Sequence, residues 1–339
     1  MDYRDAGVDR SAAERAKDRI KSLARATFNP AVLSEIGSFG GLFRLEPGRY
    51  RDPVLVASAD GVGTKIKVAI AAGIHDTVGY DLVAHCVNDI LVQGAVPLFF
   101  LDYVAFGRLD PERVAAVVSG VARACAEFDC PLLGGETAEM PGTYAEDDYD
   151  LAGFIVGVAE RERVLTGADV REGDLLVGLP SAGLHTNGYS LARRALFEVG
   201  GYAIDSSLPE LGGSLAQALL ASHRSYLAAL EPLLEQRRIR ALCHITGGGF
   251  RGNLPRVLPE GLGAELRRSA WEVPPLFRLI QKAGSVEDDE MYDTFNMGIG
   301  MIAVVAPDQL HTVEHSLERR GEVSWVVGRV VPGPGVRLE

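Results

Sequence analysis

The chain has 339 residues, 47% of them hydrophobic and 24% charged, with a formal net charge of −12. That length allows two domains and a substantial core, and the composition is ordinary for a globular protein. The acidic balance argues against general affinity for nucleic acid, although a local site can still attract an anionic substrate.

Residues 12–26 read as a mildly helical segment. The stretch Ile36-Gly37-Ser38-Phe39-Gly40-Gly41-Leu42-Phe43 suits a flap over a ligand, or a loop whose phenylalanines tuck in. Residues 54–59 form an apolar run long enough for a buried strand, with Asp60 at its end. Gly61 and Gly63 permit backbone conformations that a side chain forbids. The Thr64 hydroxyl is placed to cap a helix that buries Ile66, Ala69 and Ile70 and stops at Gly73. A carboxylate, a bare turn, a hydroxyl, a helix start and Lys65 thus converge, which suits a phosphate with a divalent cation. A plain strand-turn-helix corner with a solvated lysine has the same pattern, and the spacing is not that of a P-loop. The chain has 29 Arg and 5 Lys, yet Lys65 and Lys67 both fall here. Lysine is the compact point charge for phosphate.

Residues 78–93 read as a helix closed by Gly94. Asp81, His85 and Asp89 recur every four residues and share one face. The Asn88-Asp89 pair in an otherwise apolar helix is costly unless a ligand, a metal or a domain interface satisfies it. Residues 97–106 form a buried strand holding Asp102. Asp110 and Pro111 start a helix that runs to about residue 128. A strand at 131–133 opens into a loop, 134–142, that carries Glu136 and Glu139. Carboxylates at strand ends are where open sheets place metals and nucleotides. A strand follows at 149–160, and the halves part near 166–173.

The second half repeats this layout. A strand at 174–179 leads into a polar loop with Ser181, His185, Thr186, Asn187 and Ser190, then a helix to about 197. Helices are expected at 214–236, 275–283 and 307–320, and strands at 240–245, 263–267, 298–305 and 323–331. Hydroxyls and free amides at a helix start hold phosphate, and a histidine there can serve as acid or base. Thr246-Gly247-Gly248-Gly249 also exposes amides to an anion, with Asn253 and Arg256 as support. Asp288, Asp289 and Glu290 read as a solvated turn. There is no Gly-x-Ser-x-Gly elbow and no His-Glu-x-x-His. Cys86, Cys125, Cys130 and Cys243 fit neither a zinc site nor a disulfide framework, and free thiols suggest a reducing compartment. With no basic-then-apolar leader and no membrane-length apolar run, the expected location is cytoplasmic, with no membrane or nucleic-acid partner. The residues alone favour a two-domain α/β protein for ATP- and Mg²⁺-dependent phosphoryl transfer.

Six motifs in order strengthen that reading: residues 3–9, Asp60-Gly61-Val62-Gly63-Thr64-Lys65, Val87-Asn88-Asp89, the segment 134–142, His185-Thr186-Asn187-Gly188-Tyr189-Ser190, and His244-Ile245-Thr246-Gly247-Gly248-Gly249. Together they resemble the aminoimidazole ribonucleotide synthetases, or phosphoribosylformylglycinamidine cyclo-ligases, over nearly the whole chain. Arg4, Ala182 and Leu184 depart from the usual pattern without touching a proposed ligand. The resemblance implies ATP-dependent closure of formylglycinamidine ribonucleotide to aminoimidazole ribonucleotide, ADP and phosphate. It implies an N-terminal ATP-binding and dimerisation domain (1–168) with mixed sheets flanked by helices. Two copies of that domain would pair into a dimeric β-barrel, and a C-terminal α/β domain (169–339) would complete the active site. Carried onto this sequence, Asp60, Asp89 and Glu136 would hold Mg²⁺. Gly61, Gly63, Thr64, Lys65, Asn88, Gly135 and Thr137 would join them around ATP. His185, Lys65 and Asp89 would be catalytic. Ser181, His185, Asn187, Ser190, Thr246, Gly247 and Gly248 would bind the substrate. Relatives of the same fold are the nearest rivals: selenophosphate synthetase, thiamine-monophosphate kinase and the longer formylglycinamide ribonucleotide amidotransferase. The first 85 residues lack the reactive Cys that selenophosphate synthetase would need. A non-catalytic nucleotide-binding regulator is the rival of another class.

Overall fold

The computed structural model describes residues 10–339, so the motif at 3–9 lies outside the described residues. The chain divides into two compact units. One runs through Ile90 and resumes over Pro97–Glu160; the other takes Leu91–Val96 and Arg161–Glu339.

The first unit contains α1 (Arg10–Arg25), β1 (Pro53–Gly61), α2 (Lys65–Ala72), α3 (Asp76–Leu91), β2 (Val96–Phe106), α4 (Pro111–Glu127), β3 (Leu132–Glu139) and β4 (Tyr149–Glu160). Its sheet has the order β1-β4-β2-β3; β1 and β4 are antiparallel, β2 and β3 parallel. α3 buries Leu82, Val83, Cys86, Val87 and Ile90. α3 and α4 approach closely through two glycines. A Cβ on Gly79 would stand 2.1 Å from Val117 O, and one on Gly120 2.3 Å from Asp76 O. The start of α4 follows its sequence signals, with the Asp110 carboxylate accepting from the N–H groups of Glu112 and Arg113 and Pro111 at the first helical position.

One sequence expectation fails here. Residues 134–139 are not a loop but the continuation of β3, paired with β2. Gly135 serves close approach rather than a turn, because its Cβ would fall 1.8 Å from Asp102 Oδ1. Asp102 is buried, and burial pushes its carboxyl up to about 7. In the 36–43 segment the two phenylalanines part ways. Phe43 packs on Phe99 at 5.4 Å between ring centroids, while Phe39 is fully exposed.

The second unit adds β5 (Leu175–Pro180), α5 (Tyr189–Arg193), β6 (Ser207–Leu208), β7 (Gly213–Ser214), α6 (Leu215–Leu219), α7 (Leu227–Glu235), β8 (Ala241–His244), α8 (Gly249–Asn253), β9 (Leu262–Leu266), α9 (Pro275–Gly284), α10 (Asp288–Thr294), β10 (Ile299–Val305), α11 (Leu310–Glu318), β11 (Trp325–Pro332) and β12 (Val336–Leu338). Its main sheet has the order β12-β9-β11-β5-β10-β8, with β10 buried along its whole length. The helix expected at 214–236 is two helices. Residues between them turn inward, burying His223 and Tyr226, whose hydroxyl donates to Pro180 O at 2.9 Å. Tertiary anchoring has overridden helix propensity there. Asp288, Asp289 and Glu290 are exposed, as expected, but form the first turn of α10, where acids suit the helix dipole. Arg251 and Arg268 pair with Asp289 at 3.0 and 2.8 Å. All four cysteines are free and buried, and no helix among the described residues is long and apolar enough to cross a membrane.

Candidate active site

In the first unit the site is built where β1 runs into α2. β1 extends two residues beyond the apolar run and includes Asp60 and Gly61. The Gly61 N–H donates to Asp60 Oδ1 at 2.7 Å, which fixes the carboxylate at the turn. Gly63 takes a left-handed φ of 56°, as the turn requires. Thr64 stands at the helix N-cap, but its hydroxyl makes no cap bond. Gly73 ends α2 with a left-handed φ of 67°.

The helix face read from the four-residue spacing on α3 divides in two. Asp81 turns to Lys65, whose Nζ lies 2.6 Å from its Oδ2, and both side chains are 0% exposed. Burial pulls the Lys65 ammonium down, against the pull of Asp81's charge and hydrogen bond. The expectation of Lys65 as a phosphate-facing charge is therefore corrected. The first turn of α2 buries Lys65 alongside Ile66, and a buried ammonium takes a carboxylate partner. Lys67 is half-exposed and meets Asp148 at 2.6 Å. Asn88 is fully buried within α3, not displayed beside Asp89.

His85 does what the sequence reading did not assign. Its Nε2 lies 2.9 Å from Asp60 Oδ2 and 3.4 Å from Asp89 Oδ2. The imidazole is 3% exposed, whereas Asp60 and Asp89 are 46% and 24% exposed. Ser58 on β1 donates to Asp89 at 3.4 Å. Burial works to lower the His85 pKa, but the hydrogen bonds and charges of both aspartates outweigh it and raise it to about 9. For Asp60, burial raises the carboxyl, and His85 and the Gly61 N–H more than reverse that. The donor atoms of Asp60, His85 and Asp89 all lie within 4.8 Å of one another. Glu136 does not join them. Asp60 is on the β1 edge of the sheet and Glu136, exposed, on the β3 edge, about three strand spacings or ~14 Å away. Gly135 and Thr137 stay with Glu136 on that edge strand.

In the second unit the loops after β5 and β8 meet. A Cβ on Gly247 would lie 3.2 Å from Asn187 Oδ1. Gly247 and Gly248 are exposed, and Gly248 takes a left-handed φ of 91°. Two asparagines hold these loops: Asn253, expected from the sequence as a support, and Asn296, which the sequence reading did not single out. Asn253 donates to the carbonyls of Thr246, Gly247 and Gly249 and accepts from the Thr246 hydroxyl. Asn296 accepts from Ser181 Oγ at 2.9 Å and from Gly298 N–H, and donates to Gly183 O. Asn296 is flanked by buried Phe295 and Met297, and a polar residue so flanked is the signal that could have marked it.

His185 is corrected as well. It is 1% exposed, with a left-handed φ of 61°. Its Nε2 accepts the Ala182 N–H at 3.1 Å. It stacks on His223 at 3.9 Å between centroids, and His223 meets His244 edge-on at 5.3 Å. This histidine ties the loop down instead of standing open in it. Ser190, by contrast, is exposed in α5.

The arrangement offers charged oxygens in one unit and neutral donors in the other. Comparison with known proteins covers both units. Residues 42–159 match the N-terminal domain of AIR synthase related proteins, and residues 171–339 match the C-terminal domain. The phosphoribosylformylglycinamidine cyclo-ligase of Trichlorobacter lovleyi is 50% identical over 328 residues, covering 97% of this chain and 94% of that one. Among solved structures, thiamine-monophosphate kinase from Stenotrophomonas maltophilia shares the fold with a TM-score of 0.69 at 18% identity, covering 96% of each chain. The hydrogenase maturation protein HypE in complex with ATP has a TM-score of 0.65 at 17% identity, covering 93% of this chain and 86% of that one. The chain belongs to the AIR synthase related family, in the branch of the phosphoribosylformylglycinamidine cyclo-ligases.

Proposed function

We propose that the chain closes the imidazole ring of aminoimidazole ribonucleotide from formylglycinamidine ribonucleotide at the expense of ATP. We assign the corner of Asp60 and Asp89 to the metal-nucleotide end of that reaction. The observation that carries the assignment is the convergence of two partly exposed carboxylates on one buried imidazole, where a strand turns into a helix. Carboxylate oxygens are the donors that Mg²⁺ takes. Asp60 and Asp89 would hold it, and it would neutralise charge on the transferring phosphoryl group. ATP binding by HypE, a protein of the same fold, supports the nucleotide assignment.

The chemistry asks for positioning more than for covalent help. An amide oxygen leaves poorly until it is phosphorylated. Transfer of the γ-phosphoryl group to it gives an iminophosphate. Attack by the substrate's own nitrogen then closes the ring and releases phosphate. In the second unit Asn187, Ser190 and the exposed amides of Gly247 and Gly248 are the groups open to substrate. We assign them the ribose phosphate and amide. Ser181, Thr246 and His185 hold the loops that carry those groups, so His185 is a positioning residue and not the proton carrier. Lys65 has a similar supporting task beneath the turn.

We also assign a homodimer. The outward face of β1 and β4 leaves Leu55 63% and Phe154 45% exposed, an apolar surface that a second copy would cover. Sedimentation should show a dimer, and replacing Leu55 and Phe154 by Asp should yield monomers. The reaction is tested by incubating protein with ATP, Mg²⁺ and formylglycinamidine ribonucleotide. Aromatic amine should form in step with ADP; ATP binding without turnover would move the substrate claim to another member of the superfamily.

A further inference from the structure

We propose that His85 is a direct ligand of the ion held by Asp60 and Asp89, and that it tunes this site toward a transition ion such as Mn²⁺ over Mg²⁺. The inference rests on reading Asp60 and Asp89 as the metal pair. His85 and Asp89 stand one helical turn apart on α3, so their donor atoms project from one face. Asp60 enters from β1 on the other side. The imidazole is almost wholly buried, yet its Nε2 is aimed into the gap between the two carboxylates.

The separations are those of a ligand set. Neighbouring donors on an octahedral ion at ~2.1 Å lie ~3.0 Å apart. Nε2 lies 2.9 Å from Asp60 Oδ2 and 3.4 Å from Asp89 Oδ2. One ion can therefore touch all three atoms with small side-chain shifts, releasing to solvent the proton that Nε2 shares with the two carboxylates. Two carboxylates alone form a hard site suited to Mg²⁺, whereas an imidazole nitrogen favours first-row transition ions. The exposed sides of Asp60 and Asp89 leave the remaining positions to water and to phosphate oxygens.

The test uses the full chain, with Mn²⁺ as probe and no substrate. Pulsed electron paramagnetic resonance of Mn²⁺ bound to the wild type should show nitrogen coupling, and its pattern should change when histidine is labelled with ¹⁵N. In His85→Met, which keeps the buried volume, that coupling should vanish. Mn²⁺ affinity should fall ~10-fold or more, with Mg²⁺ affinity changed less than ~3-fold. Mn²⁺ bound without nitrogen coupling in the wild type would overturn the proposal and leave His85 a charge partner of the two acids. That measurement stands even if His85→Met fails to fold. Equal, negligible Mn²⁺ binding by wild type and Asp60→Asn would instead sink the metal-pair reading beneath it.

Discussion

Both units end a sheet strand in a glycine-bounded turn, but they fill the turn differently. The first surrounds Asp60 and Gly63 with ionisable groups: His85 between two aspartates, and Lys65 sealed against Asp81. The second presents Asn187 and the Gly247 turn, fastens its loops by Asn253 and Asn296, and packs buried His185 on His223. The lesson is one of division of labour. A polyphosphate with its cation needs fixed charge, and charge in a low-dielectric corner has to be balanced residue by residue. A ribose phosphate and an amide can be held by directed hydrogen bonds, which a rigid turn of exposed N–H groups supplies.

The sharpest way to break the comparison is to remove charge from one side and shape from the other. Asp60→Asn or Asp89→Asn should lower kcat at least ~100-fold in protein that circular dichroism shows to be folded, with a lower melting temperature because each change removes a charge partner of buried His85. Wild-type turnover by both variants would end the assignment of charge to the first unit. A second contrast concerns stability. Lys65→Met strands Asp81 in the core and should cost ~3–5 kcal/mol in denaturant unfolding. Adding Asp81→Leu should restore most of that, because the pair can be exchanged for apolar volume. If the double variant is no better than the single, Lys65 is not matched to Asp81 alone.

The His85 contacts make the first unit sensitive to pH. In the metal-free protein its pKa is raised from an ordinary 6.5 to about 9. A group bound more tightly to its proton when folded stabilises the fold fully below its unfolded pKa and loses that contribution as pH rises through the folded one. The wild type should therefore lose up to ~3 kcal/mol between pH 7 and pH 9.5, and His85→Met should show a flatter profile. For the loops of the second unit the expected effect is smaller. Asn253→Ala removes three donor contacts to the Thr246 loop. It should cost ~1–3 kcal/mol and raise KM for the substrate more than KM for ATP.

Much of this organisation was legible in the sequence, and the failures have physical causes. Strand and helix positions followed from apolar periodicity, and the Asp110-Pro111 start of α4 was read to the residue. The four-residue spacing of Asp81, His85 and Asp89 put them on one face, but periodicity does not say what faces them. β1 and α2 supplied the partners, which split the trio between Asp60 and Lys65. Glu136 was misplaced because a glycine pair resembles a turn, while Gly135 is there to admit Asp102. Asn253 and Asn296 were read at most as supports, since a buried amide shows its role only when its bonding partners are in place.

The smallest effect is the most useful control. Lys67 and Lys65 lie two residues apart in the same motif, yet the Lys67–Asp148 contact at 2.6 Å involves side chains that are 44% and 25% exposed. Water already solvates both groups, so the attraction offsets little beyond the entropy of holding two side chains together. Lys67→Ala should cost less than ~1 kcal/mol, and added salt should erase even that. The same salt series should leave the penalty of Lys65→Met nearly unchanged, since ions do not screen a charge they cannot approach. If both lysines responded alike to salt, the burial of Lys65 would be wrong, and with it the case for moving that residue from the phosphate to the support beneath the turn.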